Sequence, residues 1–246
     1  MASFTFNSVD LADYDLSVIS SNFFEFSQSL PYTQLQDYTL IGGYKRNALG
    51  LRMNVVIQGT NAADVISNLD NVKKTLASEE EKELILDSIN TRYWNARLES
   101  LDGDFVANTA WQGTITFLCP DPLAYSTTET SSDFNIDADP DTIVETVGGT
   151  AIAKPVWTLT AGETLTDVTI KLENVTTDEE LQWTGSLVDE DELEIDSQYW
   201  TVKKNGTVDM NITGEFPRLI AGSNSIKVTA FSTTGTLNIT YRDAYL

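Results

Sequence analysis

The stretch WQGTITFLCPDPLAYS, residues 111–126, alternates apolar and polar side chains and then meets two prolines. Such alternation is typical of a half-buried strand, because successive side chains point to opposite faces. One predicted face carries Trp111, Gly113, Ile115 and Phe117, and the other carries Thr114, Thr116 and Leu118. Since Pro120 and Pro122 have no backbone N–H to give to a sheet, the strand is predicted to end at Cys119.

Cys119 is the single cysteine of the chain, so it cannot form an intrachain disulfide. A nucleophilic thiol needs a base, a helix N-terminus or a positive charge nearby. The chain has no histidine, and the residues next to Cys119 are acids and prolines. We therefore expect Cys119 to be a small buried hydrophobe at the end of a strand, without a catalytic role.

The segments before this strand show two different periods. Residues 49–57 alternate like a strand, whereas Val65, Leu69, Val72 and Leu76 recur at the spacing of one helical stripe. Asn61 is a suitable cap for a helix within residues 60–76. Asp102-Gly103 is a turn signal between two further predicted strands.

The chain is predicted to have two domains, residues 1–130 and 142–246. Residues 126–141 are polar and acidic, a composition typical of a linker. Beyond them, apolar-alternating segments of four to seven residues are separated by glycines, which predicts an antiparallel sandwich without a helix. The predicted class is thus mainly β, with an N-terminal barrel-like or sandwich-like domain that carries one helix.

Composition excludes several kinds of function. The 15 basic and 37 acidic residues give a net charge of −22, which disfavours tight binding to nucleic acid or to anionic lipid. The absence of histidine removes the usual general base and the commonest zinc ligand. No apolar run is long enough to cross a membrane, and the first residues do not resemble a secretory signal. We expect synthesis in the cytoplasm and no membrane contact.

Two clusters in the second domain were weighed as binding sites. The acidic residues 189–192 with Glu194 and Asp196 are better explained as a solvated turn than as a calcium site or a glycosidase pair, since they lack the required spacing. Core packing is also the better explanation for Trp157, Trp183 and Trp200. Trp183, within LQWTG, is the predicted exposed aromatic if a sugar platform exists.

The order of several motifs resembles the distal tail proteins (Dit) of long-tailed phages. The first half contributes KKTLAS, ELILD, RYWNARLES and WQGTITFLCPDPLAYS, and the second contributes GGTAIAKPVWTLT, ELEIDSQYWTVKKNG, GEFPRLIAGSNSIKV and ITYRDAYL. The resemblance implies a C-terminal galectin-like sandwich. It also implies a structural protein without catalysis, cofactor or metal, located at the virion tail tip.

The resemblance further implies a homo-hexameric ring formed by the first domains. Its partners would be the major tail tube protein on one side and the tail-associated hub or spike protein on the other, with DNA passing through without tight binding. The second domain has no room for the inserted carbohydrate-binding module of one family branch.

The N-terminal 40 residues and the glycine-bracketed residues 42–50 are candidates for arms that reach a neighbouring copy. Tyr44, Lys45 and Arg46 are the candidate ring or arm interface. Two alternatives stay open: a carbohydrate-binding module that acts through the C-terminal sandwich in host adhesion, and a β-rich hydrolase that uses Asp or Glu.

Overall fold

The computed structural model of the chain describes residues 2–21 and 47–246 in full and, between them, the backbone of four short strands. The chain divides into two compact units. The N-terminal unit comprises residues 1–127 with Leu246, and the C-terminal unit comprises residues 128–245.

The N-terminal unit is an antiparallel β-structure with one α-helix. Its helix is α1 (Ala62–Leu76), and two 3-10 turns cover Leu11–Tyr14 and Asp87–Ile89. Its strands are β1 (Phe4–Phe6), β2 (Val9–Asp10), β3 (Leu16–Ser21), β4 (Gln28–Ser29), β5 (Tyr32–Gln34), β6 (Thr39–Ile41), β7 (Lys45–Arg46), β8 (Leu49–Gln58), β9 (Lys82–Leu86), β10 (Arg92–Ala107), β11 (Ala110–Cys119) and β12 (Ala124–Ser126).

One large sheet with the order β2-β1-β9-β10-β11-β8-β3 dominates this unit, and β12 also pairs with β10. The strand β10 belongs to two parts of the sheet. Its first residues pair with β9 and β12, as Tyr93 does with Ile85 and Tyr125, while its later residues pair with β11. This change of partner brings β1 to face β11. The rings of Phe4 and Phe6 from β1 lie 5.8 and 5.3 Å from that of Phe117.

The alternation predicted for residues 49–57 and 111–119 is confirmed. On β8 and β11 the buried side chains are Leu51, Met53, Val55, Ile57, Trp111, Ile115, Phe117 and Cys119. The helix α1 covers β8 and β11 with Val65, Leu69, Val72 and Leu76, all buried. Asn61 Oδ1 accepts hydrogen bonds from the backbone N–H groups of Ala63 and Asp64 at 2.9 and 3.1 Å, so it caps the helix as predicted.

The turn predicted at Asp102-Gly103 is wrong. Strand β10 continues through both residues to Ala107, and Gly103 lies opposite Gly113 of β11. A Cβ at Gly103 or at Gly113 would come within 2.4 or 2.1 Å of the Trp111 ring. The two glycines therefore let the Trp111 indole lie flat on the β10–β11 hairpin. The hairpin continues past Asp102-Gly103, although this dipeptide by itself favours a turn.

The C-terminal unit is an antiparallel sandwich, as predicted. Its strands are β13 (Thr130–Asn135), β14 (Asp141–Val147), β15 (Val156–Thr160), β16 (Leu165–Asn174), β17 (Glu179–Leu187), β18 (Glu192–Asp196), β19 (Thr201–Lys204), β20 (Thr207–Val208), β21 (Ile212–Gly214), β22 (Gly222–Thr229), β23 (Thr236–Tyr241) and β24 (Ala244–Tyr245). One sheet has the order β13-β23-β15-β18-β19-β20, and the other has the order β14-β22-β16-β17-β21.

The core of this unit lies between the two sheets. Trp157 and Leu159 of β15, Ile239 of β23 and Leu172 of β16 are each at most 1% exposed. Asn205 and Gly206 join β19 to β20 with φ angles of 48° and 74°, both in the left-handed region that a two-residue hairpin requires.

The interpretation of residues 126–141 as a linker is wrong for most of its length. Residues 130–135 form β13, which pairs with β23 from Thr130↔Tyr241 to Asn135↔Thr236. The side chains of β13 alternate between intermediate exposure and full exposure, and Phe134 packs against the core. A polar sequence forms a strand here because it covers the edge of an existing sheet and needs only one apolar side chain.

In the described part of the chain, no helix combines the length and the apolar character needed to span a membrane.

Candidate assembly surfaces

Cys119 lies at the end of β11, opposite Leu49 of β8, and is fully buried. Burial raises the pKa of its thiol to about 12, and the nearby carboxylates Glu81 and Asp121 act in the same direction. The thiol therefore stays protonated at neutral pH and is a poor nucleophile. Its expected role as a buried residue at a strand end is confirmed.

Asp121, between the two prolines, fixes the chain after the strand. Its carboxylate accepts a hydrogen bond of 2.6 Å from the Tyr125 hydroxyl and one of 3.2 Å from the backbone N–H of Leu123. Asp121 thus stabilises the turn that leads from β11 to β12 by hydrogen bonding.

The tip of the β10–β11 hairpin exposes apolar side chains. Phe105 is 45% exposed and Val106 is 61% exposed. Residues of this kind at the end of a stiff ribbon are suited to contact another protein. We call Phe105 and Val106 the hairpin tip.

The outward side of β8 and β11 presents a second surface in the N-terminal unit, which we call the polar face. It is formed by the side chains that alternate with the buried ones: the polar Arg52, Asn54, Gln58, Gln112, Thr114 and Thr116, with the half-buried Val56 and Leu118 among them. Asn54 joins three strands here, since it donates to Ser20 of β3 at 2.8 Å and accepts from Thr114 of β11 at 2.9 Å. The polar face is therefore hydrogen-bonded and largely uncharged, although the whole chain has a net charge of −22.

The candidate interface residues fall at the border of the described region. Tyr44 lies outside the described residues. Lys45 and Arg46 form β7 and pair with Ser29 and Gln28 of β4, but their side chains also lie outside the description. Their role in a ring or arm stays a prediction.

Trp183 is not the exposed aromatic that LQWTG suggested. It is 1% exposed, its ring lies over Gly185, and its indole N–H donates to Asp209 at 3.1 Å. The alternation of β17 explains this, because Leu181 and Trp183 point inward while Gln182 and Thr184 point outward. The same period-two test applied to the sequence would have placed Trp183 in the core.

The exposed aromatic pair is instead Tyr199 and Trp200, in the turn between β18 and β19. Tyr199 is 73% exposed and Trp200 is 66% exposed. The sequence signal is the position of SQYW between two alternating segments, which predicts a turn rather than a strand.

The acidic run makes structural bonds. Asp191 accepts hydrogen bonds from Asn205 Nδ2 at 2.7 Å and from the Val188 N–H at 2.9 Å, and it lies 3.0 Å from Lys204 Nζ. The bonds from Asn205, Val188 and Lys204 lower its pKa to about 2. Glu194 pairs with Lys203 at 2.7 Å. Among the described residues, no three acidic or cysteine side chains form a group that could hold a metal ion.

A family model and several solved structures are similar to this architecture. The family model described as the siphovirus-type tail component, C-terminal domain, matches residues 148–245. The Dit protein of phage SPP1, described as a paradigm of the hub adsorption apparatus in phages that infect Gram-positive bacteria, has a TM-score of 0.82 at 16% identity, over 100% of both chains.

Two structures of the phage p2 baseplate in its activated conformation are also similar. The chain from the strontium form has a TM-score of 0.50 at 8% identity, and the chain from the calcium form has 0.51 at 9% identity. Each match covers 98% of both chains. No curated protein matches the chain. Residues 148–245 therefore match the family model of the siphovirus-type tail component, C-terminal domain, and the chain as a whole has the fold of SPP1 Dit.

Proposed function

We propose that this chain is a structural hub protein of a phage tail tip, in which six copies form a ring around a channel for DNA. The single observation that carries the proposal is the match to SPP1 Dit over the full length of both chains. A shared domain alone would not support a shared role, but here both units and their order along the chain correspond.

The N-terminal unit is the proposed ring-forming part. A closed ring needs the same pair of complementary surfaces on every copy. The hairpin tip offers exposed apolar side chains on a stiff ribbon, and Ile19 of strand β3 at the sheet edge is 57% exposed. The ring would join the major tail tube protein on one side and the tail-associated hub or spike protein on the other.

The polar face is the proposed wall of the channel. Its polar side chains can stay hydrated through hydroxyl and amide groups. Its one cation is Arg52 of β8, and the acidic Asp102 and Asp104 lie on β10, on the other side of β11. The net charge of −22 repels phosphate, so DNA passes without adhering. This role requires assembly in the virion from copies made in the host cytoplasm.

A role without catalysis agrees with the chemistry of the described side chains. Cys119 is buried and protonated, and the acidic run is engaged in turn bonds. A sugar platform built on Trp183 is contradicted by its burial.

The oligomeric state tests the proposal directly. Light scattering on the purified chain at micromolar concentration should give a mass near six chains, and electron microscopy should show rings with a central hole. Val106→Glu at the hairpin tip should shift the distribution towards the monomer, because it places a charge in an apolar contact. Val144→Glu, at an equally exposed position of the C-terminal unit, is the matched control. A strict monomer under all conditions, including with the tail tube protein present, would contradict the proposal.

A further inference from the structure

The turn between β18 and β19 displays apolar surface that the core does not use. Tyr199 and Trp200 are 73% and 66% exposed, whereas Trp94, Trp111, Trp157 and Trp183 are at most 6% exposed. Large aromatic side chains contribute much free energy when covered. An exposed pair of them is therefore informative, unlike single exposed aliphatic residues.

The backbone of this turn is fixed by bonds within the turn and by bonds to two other segments. Asp196 Oδ1 accepts from the N–H groups of Gln198 and Tyr199 at 2.7 and 3.0 Å. Ser197 donates through its hydroxyl to the Pro217 carbonyl at 2.7 Å, and its N–H donates to the Pro155 carbonyl at 3.0 Å. The backbone that carries the aromatic pair is thus held in place, so a partner does not have to order it on binding.

The buried Trp157 also binds this turn through its indole nitrogen. Its indole nitrogen lies 3.1 Å from Ser197 Oγ and 3.3 Å from the Pro217 oxygen. Trp200 itself has a φ of 55°, a region that a bulky side chain seldom occupies. Such a conformation persists only where surrounding bonds fix it, and it is commonest at functional positions.

Two further exposed side chains extend the surface. Val208 of β20 lies opposite Lys203 of β19, the strand that begins directly after Trp200. The Asp209 N–H donates to the Val202 carbonyl at 2.9 Å, so the chain leading to Met210 stays bonded to the same strand. Met210 is 72% exposed and Val208 is 57% exposed. We call Tyr199, Trp200, Val208 and Met210 the aromatic patch.

We propose that the aromatic patch docks a basic, apolar-anchored segment of another tail protein. Tyr, Trp and Met are enriched at protein interfaces, where such anchors supply most of the binding energy. Val208 and Met210 offer no hydrogen bonds to a sugar, so the patch fits a protein better than a saccharide.

The charge of the C-terminal unit determines the kind of partner. Residues 128–245 contain 7 Lys and Arg against 21 Asp and Glu, a net charge of −14. The same unit of a second copy would be repelled, while a segment rich in Lys and Arg would be attracted. This proposal rests on the proposed function in so far as the partner is a tail protein.

A site-specific crosslink in purified virions tests the docking. The phage gene is complemented with Tyr199→p-benzoylphenylalanine, and Val144→p-benzoylphenylalanine on β14 is the matched control at an exposed position of the same unit. After irradiation, we expect one adduct at position 199 to a different structural protein, through a segment with more Lys and Arg than Asp and Glu. Position 144 should not form it.

Alanine variants give a second measurement. In virions carrying Tyr199→Ala with Trp200→Ala, the crosslinked protein should fall at least about tenfold relative to this chain in quantitative mass spectrometry, with a greater loss at high salt. An adduct to a second copy, or none in virions that contain the chain, overturns the docking proposal. Binding of a cell-wall oligosaccharide that is lost in the double variant, without a protein adduct, also overturns it. Absence of the wild-type chain from virions contradicts the proposed function instead.

Discussion

Tyr241 of β23 donates a hydrogen bond of 2.7 Å to the buried carboxylate of Glu145 on β14, and so joins the two sheets of the C-terminal unit. Ser132 of β13 donates to the same carboxylate oxygen at 3.1 Å. The bonds connect β14, the edge strand of one sheet, with the edge strand β13 and its neighbour β23 in the other. A buried carboxylate is costly unless it is hydrogen-bonded, so Glu145 depends on these donors.

Tyr241→Phe removes one of the donors and should destabilise the C-terminal unit by about 1–3 kcal/mol, because the buried Glu145 carboxylate loses the shorter of the two hydrogen bonds to its Oε1. Hydrogen exchange of β14 and β23 in the full chain would measure the loss, and the N-terminal unit should be unaffected. Tyr199→Phe, on an exposed ring, should leave exchange unchanged. An equal effect of both substitutions would show that the Tyr241 hydroxyl has no special role.

The Tyr241–Glu145 pair also predicts that the stability of the fold decreases at high pH. Burial raises the pKa of Tyr241 above its ordinary value of 10.0, and the hydrogen bond to Glu145 acts in the same direction. Above pH 10 the unfolded chain releases this proton while the folded chain retains it, so stability is intact below pH 10 and falls as the pH rises further. Thermal unfolding between pH 9 and about 11 should therefore show a steeper decline for the wild type than for Tyr241→Phe.

The lowered pKa of Asp191 predicts a loss of stability in acid. Its pKa falls from 3.8 to about 2 in the folded chain, chiefly through the Asn205 side chain and then the Val188 N–H and Lys204. The stabilisation is present above pH 3.8 and is lost as the pH falls towards 2. Asp191→Asn should lower the melting temperature at pH 7 and flatten its acid dependence, whereas Asp189→Asn, in the same turn, should change neither. A parallel acid curve for Asp191→Asn would contradict this assignment.

The flat ribbon under Trp111 makes Gly113 sensitive to a single methyl group. Gly113→Ala places a Cβ within 2.1 Å of the indole and should cost about 1–3 kcal/mol of unfolding free energy through overpacking. Gly50→Ala on β8 is the control, since no atom lies within 4 Å of its added Cβ. Urea unfolding followed by tryptophan fluorescence distinguishes the two. Equal stability would mean that the ring moves aside freely.

Cys119→Ser should destabilise the N-terminal unit by about 1–3 kcal/mol, because a hydroxyl replaces a buried thiol among apolar neighbours. Ring assembly should survive, since the thiol does not reach the surface. The thiol of the wild type should resist iodoacetamide at pH 8 until the protein is unfolded. Lost assembly with full stability would assign Cys119 a role that its burial does not suggest.

Two kinds of local sequence signal are sufficient to predict elements of this fold. Period-two alternation predicted β8 and β11, and the cap Asn61 with its apolar stripe predicted α1, because these patterns report burial directly. The Asp102-Gly103 signal failed because the indole of Trp111 from the adjacent strand stabilises an extended ribbon. A two-residue signal contains no information about that cross-strand contact.

The other two errors have the same origin. The polar residues of β13 form a strand because β23 is available to pair with them. Local composition does not reveal such a contact with a strand that is distant in sequence. Core packing is the right prediction for Trp157 and Trp183 and the wrong one for Trp200, and the choice of Trp183 as the candidate exposed aromatic is wrong because it neglects the alternation of β17. The ring interface is harder still, since it depends on a second copy that the sequence of one chain does not display.

The distribution of the five tryptophans also has a practical consequence. Four are shielded and Trp200 alone is largely solvent-facing. The emission of the native protein should contain one red-shifted component that acrylamide can quench, beside a shielded majority. That component provides an intrinsic optical reporter at a defined position, available without any attached dye.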